Sequence, residues 1–186
     1  MCSMVKFWKS TFLDEIEQFL IHEVLETIES KKPKYATMLI VYSFLAEIAG
    51  NGRHILELYA NLDCRTNREN VVERLMYELG KILQDRFAGC SHLSKQERHV
   101  LKYQCLEIHN ALLSSLCDYR RENSEPSDVE PIMAEKNRKI NLEKFVFKFN
   151  EGWSVGIKAL YNLNLISLDD RELLEILLTT SRLKKK

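Results

Sequence analysis

Glycine and proline are scarce in this chain of 186 residues, with 6 Gly and 3 Pro. That shortage excludes a turn-rich β architecture and favours long uninterrupted helices. Neither sign of charge dominates, since Lys plus Arg and Asp plus Glu each total 27. A zero balance gives no general pull toward nucleic acid or an anionic surface, and nucleic acid is not an expected partner. No apolar run reaches the roughly 18 to 20 residues that a membrane span requires. Residues 1–9 hold charges and lack the apolar core of a signal peptide, so secretion is not expected. The cysteines, Cys2, Cys64, Cys90, Cys105 and Cys117, are odd in number and contain no CxxC pair. Neither a disulfide framework nor a zinc module is indicated, and reduced, buried thiols in a cytosolic protein are the plain reading. There is no glycine-rich phosphate loop, no HExxH and no serine elbow. No self-contained catalytic site, cofactor or metal is therefore expected.

What is present is a pattern. Hydrophobic residues make up 45% and charged residues 29%, enough for a core without disulfides or metal. Phe12, Leu13, Ile16, Phe19, Leu20, Val24 and Ile28 recur at helical spacing, and Pro33 stops that helix near Ser30. A second helix is predicted over 34–49 through Met38, Val41, Leu45 and Ile48, with Gly50-Asn51-Gly52 as C-terminal cap and turn. A short helix over 53–59 and a polar turn over 61–66 follow. The next helix is predicted over 68–87 on Val72, Leu75, Met76, Leu79, Ile82 and Leu83, ending at Gly89. Ser94 and Glu97 form a capping box that opens a long helix to about 122, with the stripe Leu101, Cys105, Ile108, Leu112, Leu116. The stretch 122–131, ENSEPSDVEP, reads as a linker. Helices over 132–149 and 153–163 come next, then one capped by Ser167 with Asp170 three residues on. It carries Leu173, Leu174, Leu177 and Leu178. The expected fold is all-α: antiparallel helices in a HEAT- or armadillo-like solenoid or a bundle, followed by a short helical extension. No strict sequence period accompanies it.

Few residues suggest chemistry. Cys105 and His109 share a helix face, but nothing in the sequence completes a tetrahedral metal set, and core packing with a surface histidine suffices. His92 and His99 form no recognisable pair with a nucleophile. The closing Arg182-Leu183-Lys184-Lys185-Lys186 cluster reads as a solvated end before it reads as a lipid contact. The most unusual feature is the turn at Asn61 and Asp63, whose side chains can hold neighbouring backbone groups. It either fastens two helices or forms a partner-binding surface.

The stretch 58–83, LYANLDCRTNRENVVERLMYELGKIL, resembles the signature box of the homology-upstream-of-Sec-seven domain. That domain belongs to the large, brefeldin-sensitive Golgi guanine-nucleotide exchange factors for Arf GTPases. The matching positions are Tyr59, Asn61, Asp63 and Cys64, then Asn70, Val71, Glu73, Arg74 and Leu75, with Leu62 where the family has tyrosine. The segments 12–30, 35–48 and 98–119 are similar to the family helices before and after the box. Farther on, Phe149-Asn150-Glu151-Gly152-Trp153-Ser154-Val155-Gly156-Ile157 resembles the F-N-x-x-P-x-x-G-I opening of the Sec-seven domain, with Trp153 in place of proline. Phe149, Asn150, Gly156 and Ile157 carry that second likeness.

The resemblance implies a homology-upstream-of-Sec-seven-like helical domain over 1–122, a linker over 123–131 and the first, incomplete helices of a Sec-seven-like domain over 132–186. It implies a role in nucleotide exchange on an Arf-family GTPase in vesicle-mediated transport. The partners would be the GTPase, through a catalytic region not found here, and an upstream dimerisation domain or another exchange-factor subunit. The location would be cytoplasmic and peripheral to Golgi or trans-Golgi membranes. No residue here can be assigned to the glutamate finger of that family, so the chain alone is expected not to catalyse exchange, whether it is a fragment or a reduced relative. The expectation is a regulatory piece, with Tyr59, Asn61, Asp63, Cys64, Asn70, Glu73 and Arg74 forming its contact or the fold that presents it. The competing reading is a helical-repeat adaptor unrelated to Arf.

Overall fold

The computed structural model describes residues 10–84, 92–122, 129–165 and 176–177, and every regular element among them is a helix. They fall into two compact units, residues 1–128 and 129–186.

The first unit opens with α1 (Ser10–Phe19), which runs without a break into a π-helical stretch, Leu20–Leu25, and then α2 (Glu26–Glu29). A π turn inserts a residue and shifts the helix phase. Here it lets the adjacent Val24 and Leu25 both turn inward, with Leu13, Leu20 and Ile28. Phe12 and Phe19, expected on that apolar face, are instead exposed. Phe19 meets Phe44 edge-on with ring centres 5.4 Å apart. The rod ends where Ser30 turns extended, ahead of Pro33.

Met38, Val41, Tyr42, Leu45 and Ala49 of α3 (Tyr35–Ala49) are buried. Gly50 closes α3 in a right-handed conformation, φ −67°, so the glycine cap expected there does not form. Asn51 makes the turn instead. Its side-chain oxygen accepts the His54 N–H at 3.2 Å and caps α4 (Gly52–Leu58). Gly52 has a different reason to be glycine. A Cβ there would collide with the Ser115 carbonyl oxygen and lie 2.7 Å from its carbon. The Ser115 hydroxyl donates to the Ala49 carbonyl at 2.6 Å at this same crossing.

Beyond α4 a second π-helical stretch, Tyr59–Asp63, continues the chain to Cys64, and α5 (Val71–Leu83) follows. The start expected near Arg68 moves to Val71, because the backbone of Asn70 is not helical. Gln84 ends α5; Phe87 and Gly89 lie outside the described residues. Ser94 and Glu97 open α6 (Lys95–Glu122) as a reciprocal box: Glu97 N–H donates to Ser94 Oγ at 3.2 Å, and Ser94 N–H to Glu97 Oε2 at 2.8 Å. These bonds hold the Glu97 carboxyl below its ordinary range, the serine side chain contributing most. Leu101, Cys105, Ile108 and Leu112 of α6 are buried, and α3, α4 and α5 pack against this helix.

In the second unit α7 (Val129–Glu151) begins inside the stretch expected to be linker. Pro131 sits in its first turn, where a missing N–H breaks no helical bond. α8 (Trp153–Asn162) packs on α7 around Phe145, Leu160 and Ile176. Asn164 takes a left-handed conformation, φ 51°, and closes α8. Its N–H reaches the Tyr161 carbonyl, and that of Leu165 reaches Leu160, a Schellman pattern. Of the final helix expected from Ser167, Ile176 and Leu177 are described and helical. Ser167, Asp170, Leu173, Leu174, Leu178 and the Arg182–Lys186 cluster lie outside the described residues.

Candidate functional site

The segment between α4 and α5, read from the sequence as a polar turn that either fastens two helices or forms a partner-binding surface, is a π-helical stretch with its polar residues turned inward. Asn61, Leu62, Asp63 and Cys64 are all buried, Asp63 completely so at 0% exposure. The π-helical turn places them inward. Asn61 Nδ2 donates to the Glu57 carbonyl at 2.8 Å, satisfying an acceptor that the wider turn leaves available. The Asp63 carboxylate spans the gap to α5. Its Oδ2 accepts the Val72 N–H at 3.0 Å and its Oδ1 the Glu73 N–H at 2.8 Å.

Those two amides belong to the first turn of α5, whose N–H groups have no partner within the helix. A capping side chain ordinarily comes from the residue just before the helix. Asn70 holds that position and makes no such bond. Asp63 replaces it from a preceding helical segment, and its negative charge faces the positive end of the α5 dipole. The corner is thus a cap between elements, completed by Tyr59, whose hydroxyl donates to Glu73 Oε1 at 3.3 Å.

A second layer of bonds ties the corner to the first helical rod. Arg68 Nη1 pairs with Asp14 and lies 2.6 Å from Glu17 Oε2, while Glu17 Oε1 accepts the Glu69 N–H at 2.8 Å. Arg74 grips Glu29 with two bonds, Nε to Oε1 at 2.6 Å and Nη2 to Oε2 at 2.5 Å. Both guanidinium groups are held above their ordinary pKa, chiefly by the hydrogen bonds to Glu17 and Glu29. Arg68 and Glu17 are largely enclosed, so removing either partner leaves an uncompensated charge.

Burial first, then the nearby charge of Cys64 and of Glu73, its hydrogen bond to Glu73 and the charge of Asp63, push the Tyr59 phenol from 10.0 up to about 12. A raised pKa means the neutral phenol stabilises the fold fully below pH 10.0. That contribution is lost as pH rises through about 12. Tyr59→Phe is therefore expected to melt below the native protein at neutral pH by the equivalent of about 1 kcal/mol. The difference should shrink through the alkaline range, and thermal unfolding of both proteins against pH checks it. A constant difference would contradict the assignment.

The structure thus brings Tyr59, Asp63, Cys64 and Glu73 together, with Asn61 in the same π-helical stretch bonded to the Glu57 carbonyl, Asn70 just before α5 and Arg74 in its first turn. Asn70 Oδ1 is buried without a hydrogen-bond partner. In the second unit Phe149 and Gly156 touch: a Cβ on Gly156 would lie 2.6 Å from Phe149 Cα. Ile157 packs beside them, and Asn150 is half-buried near the end of α7. Phe149 also meets Trp153, ring centres 5.4 Å apart. Cys105 is buried, and His109 Nδ1 lies 2.7 Å from the Cys105 carbonyl, a bond within its own helix. His92 Nε2 lies 2.9 Å from the Pro33 carbonyl. Among the described residues no group of three or more His, Cys, Asp or Glu is arranged to hold a metal, and no helix is long and apolar enough to cross a membrane.

Sequence reasoning missed Asp14, Glu17 and Glu29, and read Arg68 only as a helix start. One signal was present. Glu17 falls in the stripe Leu13, Glu17, Leu20, Val24, Ile28, where an acid among buried apolar positions calls for a cation.

A brefeldin A-inhibited guanine nucleotide-exchange protein 1 from Bos taurus is 23% identical over 94% of this chain. The chain is similar to exchange factors. The protein of the same name from Homo sapiens is 23% identical over 64% of the chain, and brefeldin A-inhibited guanine nucleotide-exchange protein 2 from Arabidopsis thaliana is 25% identical over 63%. The chain spans only 10% of the length of the Bos taurus protein, 6% of the Homo sapiens protein and 7% of the Arabidopsis thaliana protein. No protein-family profile matches the chain. No solved structure matches it either.

Proposed function

We propose that this chain is a regulatory piece of an Arf guanine-nucleotide exchange factor, acting in Golgi vesicle traffic by protein contact rather than by exchange itself. The observation that carries this reading is the similarity to an exchange protein along 94% of the chain. The geometry supports a division of labour within the corner. Asn61, Asp63 and Cys64 are buried, so they act by fixing the angle between α4 and α5. The surfaces so presented, which include the exposed Glu73 and Arg74, make the contact. The partners in this reading are an upstream dimerisation domain or another exchange-factor subunit, and an Arf-family GTPase engaged through a catalytic region elsewhere. Association with Golgi or trans-Golgi membranes would be peripheral and follow from those contacts.

Co-elution of the purified chain with the dimerisation domain of a relative, alongside release of labelled GDP from an Arf GTPase, tests the proposal. Binding to the domain with no acceleration of GDP release is expected. Failure to bind both the domain and the GTPase would favour a helical-repeat adaptor, and accelerated release would contradict a purely regulatory role.

A further inference from the structure

α6 carries two stripes on opposite sides. One, through Leu101, Cys105, Ile108 and Leu112, is buried against the rest of the first unit. The other consists of Tyr103, Leu106, Asn110, Leu113 and Cys117, spaced alternately three and four residues apart. Tyr103 is 59% exposed, Leu106 50% and Leu113 61%, and Asn110 and Cys117 are exposed as well. A helix docked on one side ordinarily offers charged side chains on the other. These five carry none.

The spacing is that of a heptad seam, with Tyr103, Asn110 and Cys117 at one core position (a) and Leu106 and Leu113 at the other (d). We propose that this face of α6 packs against the same face of a second copy of the chain, in parallel and in register. Two features choose that occupant. A single asparagine at the first core position, Asn110, is the residue that fixes register, because only another Asn110 opposite satisfies it. The flanking charges are complementary in the parallel sense, since Lys102 of one copy falls beside Glu107 of the other. An antiparallel pairing does not bring those two positions together. The seam is about 21 Å long at 1.5 Å per residue, too short to create helices but long enough to join helices the fold has already formed. The dimer is correspondingly weak and depends on concentration. This inference does not rest on the functional reading above.

Register makes it testable, because first-position residues in a parallel pair approach closely enough for a disulfide. Sedimentation velocity on the full chain should show the average mass rising toward twice the monomer with concentration. Oxidation with diamide should join two chains through Cys117, and Cys117→Ser should abolish that product. Leu106→Asp with Leu113→Asp should leave helix content unchanged, since both side chains are exposed, yet remove both the mass increase and the cross-link. A chain that stays monomeric at its highest soluble concentration overturns the proposal. So does a dimer that persists in the double variant, and so does one that fails to cross-link through Cys117.

Discussion

Asp63→Ala is expected to lower the stability of the first unit by about 3 kcal/mol, because two amide hydrogen bonds to a charged, buried acceptor are lost together. For a unit of this size that corresponds to a fall in Tm of about 10 °C. The reasoning starts from the α5 amides. Val72 and Glu73 donate to Asp63, and neither has an intrahelical acceptor. Alanine leaves both donors without that partner in an enclosed corner where water replaces the carboxylate poorly. Helix content should change little, since α4 and α5 keep their packed faces. What loosens is the angle between them. Thermal unfolding followed by circular dichroism checks this, and an unchanged Tm would show that the carboxylate holds nothing.

Gly52→Ala is expected to destabilise the same unit by about 2 kcal/mol, the usual scale of overpacking. The added methyl would meet the backbone of Ser115, with Leu116 N at 3.0 Å, and backbone cannot rotate aside as a side chain can. α4 and α6 would have to separate, weakening the bond from Ser115 to Ala49. Gly80→Ala should do the opposite. Gly80 lies inside α5 with nothing within 4 Å of an added Cβ, so alanine should stabilise by about 0.5–1 kcal/mol through helix propensity. Urea unfolding of the two variants should therefore move in opposite directions. Equal effects of one sign would refute the contact argument.

The all-α fold was legible because helical spacing is a local property. The α6 stripe and the Ser94–Glu97 box were readable for the same reason, each partner lying within one or two turns of the other. The corner was harder. Asn61 and Asp63 stood out as polar residues able to fasten helices, yet their burial depends on a π turn that no spacing rule announces. Asp63 caps amides nine and ten residues away, beyond the reach of any capping pattern. Phe12 and Phe19 misled because they share the helical spacing of Leu13 and Leu20, and periodicity does not mark where a buried stripe ends. The glycines at 50 and 52 misled in a related way. The turn was evident, but Gly52 answers to a helix more than sixty residues downstream. Arg68 and Arg74 likewise meet acids on the first rod, pairings that only the tertiary fold creates.

Amide hydrogen exchange at Val72 and Glu73 tests the fastened corner most directly. If Asp63 holds the start of α5, both amides exchange as slowly as those in the middle of that helix, and Asp63→Ala releases them selectively. Rapid exchange in the native chain, at the rate of an uncapped helix start, would contradict the account.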